Sequence, residues 1–139
     1  MNQNTVIQTM LESAETIAVV GLSDNPERSS YGVAKYLMNV GYKIIPVNPK
    51  VKEVFGIKSA ASLKEITEQV DIVNIFRRSE LVLPVVKEAI EIHAKGIWMQ
   101  EGVYNENAAE IARNAGIPVI MDNCIAVAHR IVKYQLHQQ

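Results

Sequence analysis

Five short, predominantly apolar runs recur along the chain, and polar turns followed by helix-like segments separate them. Short apolar runs bounded by turn residues are typical of strands that are buried on both faces of a parallel sheet. The predicted strands are Ile17–Val20, Lys43–Val47, Asp71–Phe76, Gly96–Met99 and Pro118–Met121.

Segments with apolar residues at helical spacing lie before the first strand and between or after the others. Ser62 and Glu65 have the spacing of a capping box, and Asp122 or Asn123 is expected to cap the last helix. The predicted helices are Thr5–Ala14, Tyr31–Val40, Ser62–Gln69, Ser79–Ala94, Glu106–Asn114 and Cys124–Leu136.

Strands that alternate with single helices form β-α-β units, which build a parallel sheet with helices on both faces. We therefore predict the α/β class, with a single Rossmann-like, doubly wound domain over residues 1–139 and a core from about 14 to 134. The five strands are expected in the order 3-2-1-4-5. In such sheets a ligand binds at the carboxyl ends of the strands, at the switch point, here between strands 1 and 4.

Composition excludes several classes of function. A formal net charge of −1 gives no basic excess for binding nucleic acid, and no apolar run approaches the length of a membrane span. The N-terminal segment lacks the features of a signal peptide, and a single cysteine, Cys124, cannot form an internal disulfide. We expect a cytoplasmic protein without a metal site or catalytic residues. The sequence is compatible with a homo-oligomer.

The turn after the first strand carries the strongest local indication of a ligand. Gly21 permits a tight turn, and Ser23, Ser29 and Arg28 can donate hydrogen bonds to phosphate oxygens near the start of a helix. The turn does not have the G-x-G-x-x-G pattern of a dinucleotide site. We interpret it as a phosphate-binding loop; the alternative is a surface loop in which Ser29 or Ser30 caps the helix.

The turn after the second strand has no acidic residue to hold a ribose diol. It has Asn48 followed by Lys50, which favours a ribose that carries a phosphate, as in NADP or coenzyme A. A simple Asn48-Pro49 turn with a solvated lysine is the equally weighted alternative.

The remaining strand ends offer further candidates. Phe76 and Arg77 suit adenine and phosphate, although the Phe76 ring also suits the core. Gln100 suits a polar, uncharged ligand arm, whereas Trp98 alone reads as a core residue. Cys124 is expected in the first turn of the last helix. Its thiol is either inert and buried or in contact with the ligand, and the sequence allows both.

Taken together, the strand-end motifs resemble those of small stand-alone CoA-binding proteins. These proteins are similar to the N-terminal CoA-binding domain of the succinyl-CoA synthetase α subunit, and the resemblance extends from about Ala14 to Tyr134. The motifs are Val20–Pro26 (VGLSDNP), Pro46–Pro49 (PVNP), Phe76–Glu80 (FRRSE), Trp98–Val103 (WMQEGV) and Asp122–Ile125 (DNCI).

This resemblance implies a Rossmann-like fold that binds coenzyme A or an acyl-CoA. It implies phosphate contacts after the first strand, adenosine contacts after the second and third, and contacts with pantetheine and the thiol end after the fourth and fifth. The implied ligand-binding residues are Gly21, Leu22, Ser23, Arg28, Ser29, Asn48, Pro49, Lys50, Phe76, Arg77, Trp98, Gln100, Glu101, Asn123 and Cys124.

The resemblance does not extend to the ligase chemistry, because the phosphohistidine loop of the synthetase has no counterpart in these motifs. We therefore expect a protein that binds CoA without catalysing a reaction alone. A small NADP-dependent oxidoreductase on the same fold is the alternative, and a mixed disulfide between Cys124 and CoA is a further hypothesis.

Overall fold

A computed structural model describes residues 2–138, so Met1 and Gln139, the ends of the expected domain, lie outside the described part. The α/β class and all five predicted strands are confirmed. The helices are α1 (Gln3–Ser13), α2 (Ser29–Asn39), α3 (Val82–Glu91), α4 (Glu106–Asn114) and α5 (Ile125–His137), with 3₁₀ turns at Leu63–Glu65 and Ser79–Leu81. The strands are β1 (Thr16–Val20), β2 (Lys43–Val47), β3 (Glu53–Val54), β4 (Ile57–Lys58), β5 (Ile72–Ile75), β6 (Gly96–Met99) and β7 (Val119–Ile120).

The order of the strands differs from the expected one. The main sheet is parallel and runs β2-β1-β5-β6-β7, so the third predicted strand lies beside β1 and not beyond β2. The place beyond β2 is taken by a short segment after β4. There the Ala60 N–H donates to the Pro46 carbonyl (2.9 Å), and the Asn48 N–H donates to the Ala60 carbonyl (2.8 Å).

If this segment is counted as a strand, the order becomes the 3-2-1-4-5-6 of an open doubly wound sheet. The switch point then lies between β1 and β5, and not between β1 and the fourth predicted strand (β6) as expected. Pro46 is tolerated in β2 because its missing N–H faces this sparsely paired side of the strand.

Helices cover both faces of the main sheet. On one face α1, α2 and α5 bury side chains such as Leu11, Leu37 and Ile125 against β1, β5 and β6. On the other face α3 and α4 bury side chains such as Val86 and Ala109. Both faces of the central strands are therefore apolar, which explains why their sequences show continuous apolar runs and no alternation.

Two helix predictions are wrong at their caps, and the predicted helix Ser79–Ala94 is divided into a 3₁₀ turn and α3. Ser62–Gln69 yields only a 3₁₀ turn, since the Ser62 side chain caps nothing and the Glu65 carboxylate accepts from the Ala61 N–H instead. The last helix begins at Ile125, with Cys124 at the N-cap position in place of Asp122 or Asn123. Asp122 is drawn away from the helix because its carboxylate accepts from the Gly102 N–H at 2.8 Å.

A polar contact among aromatic side chains joins α1, α2 and α5. The Tyr36 hydroxyl lies 2.7 Å from His129 Nδ1, and the Tyr42 hydroxyl donates to the Leu11 carbonyl at 2.6 Å. Burial lowers the pKa of His129, with a smaller contribution from Lys133, and burial raises the pKa of Tyr42 to about 12. His129 therefore has a structural role between helices.

We expect the protein to lose stability as the pH falls through about 6.5, the ordinary pKa of histidine in an unfolded chain. The unfolded chain takes up a proton on His129 near its ordinary pKa of about 6.5, whereas the folded state resists that proton. Urea unfolding at several pH values measures the effect, and His129→Asn, which keeps an acceptor for Tyr36, should flatten the profile. Equal profiles for the two proteins would contradict the assignment.

Candidate functional site

Two adjoining cavities lie at the carboxyl ends of β1, β5 and β6, and together they form one groove. The first cavity, of about 330 Å³, is lined by residues that follow β1 and β2 and by the start of α2. The second, of about 430 Å³, is lined by residues that follow β5 and β6 and by the start of α5. Ser29 and Phe76 line both, so the groove crosses the switch point between β1 and β5.

Gly21 closes the end of β1 against the end of β5. Its φ is +87°, and a Cβ at this position would lie 2.2 Å from the Phe76 carbonyl oxygen. Its N–H donates to the Val47 carbonyl at 2.8 Å. Only glycine satisfies both the backbone angle and the close approach, and this approach places the following loop above the switch point.

The loop after Gly21 is shaped by its own serines. The Ser23 N–H donates to the Ser30 hydroxyl oxygen at 3.0 Å, and the Ser23 hydroxyl oxygen accepts from the Asn25 N–H at 3.0 Å. Arg28 occupies the N-cap position of α2, and no side chain in the described part of the chain caps this helix. Its first N–H groups therefore border the first cavity without a capping acceptor, an arrangement that favours an anion.

Asn48 forms a turn after β2, one of the two roles that the sequence allowed for it. Its Oδ1 accepts from the Lys50 N–H at 3.0 Å, and its Nδ2 donates to the Leu22 carbonyl at 3.1 Å. The side chain thereby ties the end of β2 to the loop after β1, and it also lines the first cavity. Pro49 and Lys50 are exposed and line neither cavity.

Positive charge gathers along the groove. Arg28 lines the first cavity and Arg77 the second, and within residues 2–138 neither is paired with a carboxylate. Arg78 also lines the second cavity, with its Nε 3.6 Å from Glu80. Glu101 is the one carboxylate among the lining residues. The groove is therefore suited to an anionic ligand.

The far end of the second cavity is formed by Gln100 and Cys124. The Gln100 side chain is buried apart from its cavity-lining surface, and its Oε1 accepts from the Ile125 N–H at 3.3 Å. It thus caps α5 from a neighbouring strand end. Cys124 is a half-buried free thiol that lines the same cavity.

Besides Pro49 and Lys50, three further predicted site residues do not present their side chains to the groove. Leu22 is fully buried and takes part through its carbonyl group only. Trp98 is fully buried, and its indole N–H donates to the Asn123 carbonyl at 2.8 Å. Asn123 lines a separate cavity between α1 and α5. Their places in the fold favour a supporting role for these three residues.

Sequence reasoning missed one polar residue beneath the groove. Asn74 lies in β5, is fully buried, and donates a hydrogen bond from Nδ2 to Gln100 Oε1 at 3.2 Å. An amide in an otherwise apolar strand is a local inconsistency, and such inconsistencies concentrate at functional sites. This inconsistency in the sequence could have identified Asn74 as a candidate.

No helix in the described part of the chain is long and apolar enough to cross a bilayer. Within residues 2–138, His, Cys, Asp and Glu side chains form no group of three that could hold a metal ion.

A parallel doubly wound sheet, a groove at its switch point and an uncapped helix N-terminus after the first strand define a nucleotide-binding type of α/β domain. The family model described as "CoA binding domain" matches residues 15–130. The chain therefore belongs to the CoA-binding domain family.

Known proteins similar to this chain are of two kinds: small proteins of about the same length, and longer ligase subunits of which this chain matches one region. YneT of Bacillus subtilis is 48% identical over 91% of this chain and 94% of its own length. A hypothetical protein from Pyrococcus horikoshii, known by its structure, is 34% identical with a TM-score of 0.90, covering 94% of this chain and 92% of that one.

The second kind is represented by the α subunit of the ADP-forming acetate–CoA ligase II of Pyrococcus furiosus, which is 34% identical over 80% of this chain. The chain spans only 27% of that subunit's length. Similarity to the ligase is thus confined to one region of it.

Proposed function

We propose that this protein binds coenzyme A, or an acyl-CoA, in the groove at the switch point. The observation that carries the proposal is the continuity of the two cavities in a member of the CoA-binding domain family. CoA is a long anion with phosphates near one end and a flexible pantetheine arm at the other. A groove with one cavity beside a helix N-terminus and a second cavity beside a free thiol matches that distribution of groups.

In this proposal the first cavity takes the phosphates. Ser23, Ser29 and the N-terminus of α2 supply hydrogen-bond donors, and Arg28 supplies charge. Phe76 lies where the cavities meet, and Arg77 lines the second cavity next to it; the two contact the adenosine part or the neighbouring phosphates. Asn48 contributes by holding the loop in place.

The pantetheine arm occupies the second cavity, along Gln100 and Glu101 and towards Cys124. We further propose that the whole chain acts as one cytoplasmic domain which binds or delivers the cofactor without its own catalysis. The ligase subunit that this chain resembles is matched over only 27% of its length, so its activity is not assigned to this chain.

The proposed function is tested by isothermal titration of the reduced protein with CoA, 3′-dephospho-CoA and NADPH. The second cavity is assigned to the pantetheine arm, which NADPH lacks, so NADPH is expected to bind more weakly than CoA. No heat of binding with millimolar CoA would refute the proposal, and tighter binding of NADPH would replace it with the oxidoreductase alternative.

Arg28→Ala is expected to weaken CoA binding about tenfold. A charged hydrogen bond contributes roughly 1.5–3 kcal/mol, and the exposure of Arg28 places the effect at the lower end. Arg113→Ala is the matched control, because Arg113 lies on α4 outside both cavities. Titration of both variants with CoA checks the prediction; equal affinities would place the phosphates elsewhere.

A further inference from the structure

Two side-chain amides connect the core of the sheet to the second cavity. Asn74 Nδ2 donates to the Trp98 carbonyl (3.4 Å) and to Gln100 Oε1 (3.2 Å). Gln100 Oε1 also accepts from the Ile125 N–H (3.3 Å). Both amides are buried, and Gln100 borders the cavity.

Two backbone groups, one beside each amide, fix which atom of the amide is the oxygen and which is the nitrogen. The Ile125 N–H can only donate, so the Gln100 atom that faces it is the oxygen. The Trp98 carbonyl can only accept, so the Asn74 atom that faces it is the nitrogen. The same Asn74 nitrogen then meets the Gln100 oxygen, and the two assignments agree.

This arrangement leaves one group of Gln100 for the groove. Its Nε2 donates to no acceptor within residues 2–138, and it is not among the fully enclosed unpaired atoms there. The amide nitrogen therefore reaches open space, and the open space that Gln100 borders is the second cavity. A donor at this point suits an acceptor on the ligand.

Asn74 has a buried oxygen atom without a hydrogen-bond partner among residues 2–138, which lowers the stability of the fold. Its Oδ1 is buried without a hydrogen-bond partner in the described part of the chain, although its strand neighbours Val73 and Ile75 are apolar. A buried unpaired oxygen is destabilising, and an aliphatic side chain in its place would avoid that penalty. Retaining an amide here is accounted for by its effect on Gln100.

We infer that Asn74 is a positioning residue, which turns the Gln100 amide so that its N–H₂ donates to a carbonyl oxygen of the ligand. This inference rests on the proposed function and deepens it. It requires a carbonyl group in the part of the ligand that occupies the second cavity. In CoA derivatives that carbonyl belongs either to a pantetheine amide or to the thioester of an acyl-CoA.

Asn74→Leu tests the inference, because leucine cannot donate to Gln100 Oε1. The Gln100 amide is then held by the Ile125 N–H alone, at 3.3 Å, and its nitrogen is no longer fixed towards the groove. We expect affinity for acetyl-CoA to fall about tenfold. Affinity for adenosine 3′,5′-bisphosphate, which lacks the pantetheine arm, should be unchanged, a result that general structural damage would not give.

Gln100→Glu serves as a second variant in case Asn74→Leu does not fold. Glutamate keeps an oxygen for Asn74 and Ile125 but replaces the donor in the groove with an acceptor, so the same loss of acetyl-CoA affinity is expected. In the Gln100→Glu protein, Asn74→Leu should cause no further loss, since the group that Asn74 orients is gone.

Titration with CoA, acetyl-CoA and S-ethyl-CoA distinguishes the two carbonyl sources. If the variants weaken all three ligands, the acceptor is a pantetheine amide; if they weaken acetyl-CoA alone, it is the thioester. Unchanged affinities in both variants, or an equal loss for the bisphosphate, would overturn the inference and leave CoA binding intact. Absence of CoA binding by the unmodified protein would refute the proposed function itself, and the inference with it.

Discussion

Replacing Gly21 with alanine is expected to lower the free energy of unfolding by about 3 kcal/mol or more. A left-handed backbone costs a non-glycine residue roughly 1–2 kcal/mol, and φ here is +87°. The added Cβ would also lie 2.2 Å from the Phe76 carbonyl oxygen, so the ends of β1 and β5 would have to separate. Backbone shifts forced by overpacking add roughly 1–3 kcal/mol.

Gly116→Ala separates these two contributions. Its φ of +84° is nearly the same, but a Cβ at this position meets nothing within 4 Å. Urea unfolding should therefore show a loss of only about 1–2 kcal/mol for Gly116→Ala. Equal losses in the two variants would show that the approach of β1 to β5 relaxes freely.

Binding should respond to Gly21→Ala as well. Gly21 and Phe76 both line the first cavity, and their contact sets the distance between the loop after β1 and the end of β5. Separating the two strand ends moves the phosphate-binding loop relative to the rest of the groove. We expect the variant to lose CoA affinity, whereas Gly116→Ala keeps it.

The strands could be predicted from the sequence because burial on both faces leaves a strong signal. Runs such as Ile17–Val20 tolerate hardly any polar residue, and they end at glycine or at polar turns. The order of the strands could not be predicted in the same way. It depends on the segment around Ala60, which pairs with β2 through backbone hydrogen bonds and has no apolar pattern of its own.

Parts of the candidate site were also accessible to sequence reasoning. Turn residues after parallel strands meet at one edge, so Gly21, Arg28 and Gln100 were expected near one another, and they line the two adjoining cavities. The structure adds which way each side chain faces. Whether Trp98 packs in the core or faces a ligand depends on tertiary contacts, which the sequence pattern does not specify.

Trp98→Ala is expected to destabilise the fold by about 3–5 kcal/mol, as large-to-small substitutions of buried aromatic residues do. Its side chain is fully buried between the sheet and the helices α1, α2 and α5. The substitution also removes the indole N–H that donates to the Asn123 carbonyl, just before α5 begins. A domain of ordinary stability, about 5–15 kcal/mol, would lose a large share of it.

Trp98→Phe and Tyr134→Ala complete this experiment. Phenylalanine retains most of the apolar contact but cannot donate to Asn123, so it should cost less than alanine and still loosen the start of α5. Tyr134 is an exposed aromatic residue on α5, and its removal should change stability by about 0.5 kcal/mol or less. Urea unfolding followed by circular dichroism suits all three variants, because two of them lack the single tryptophan. If Trp98→Ala cost no more than Tyr134→Ala, the indole would not be the core residue that its burial indicates.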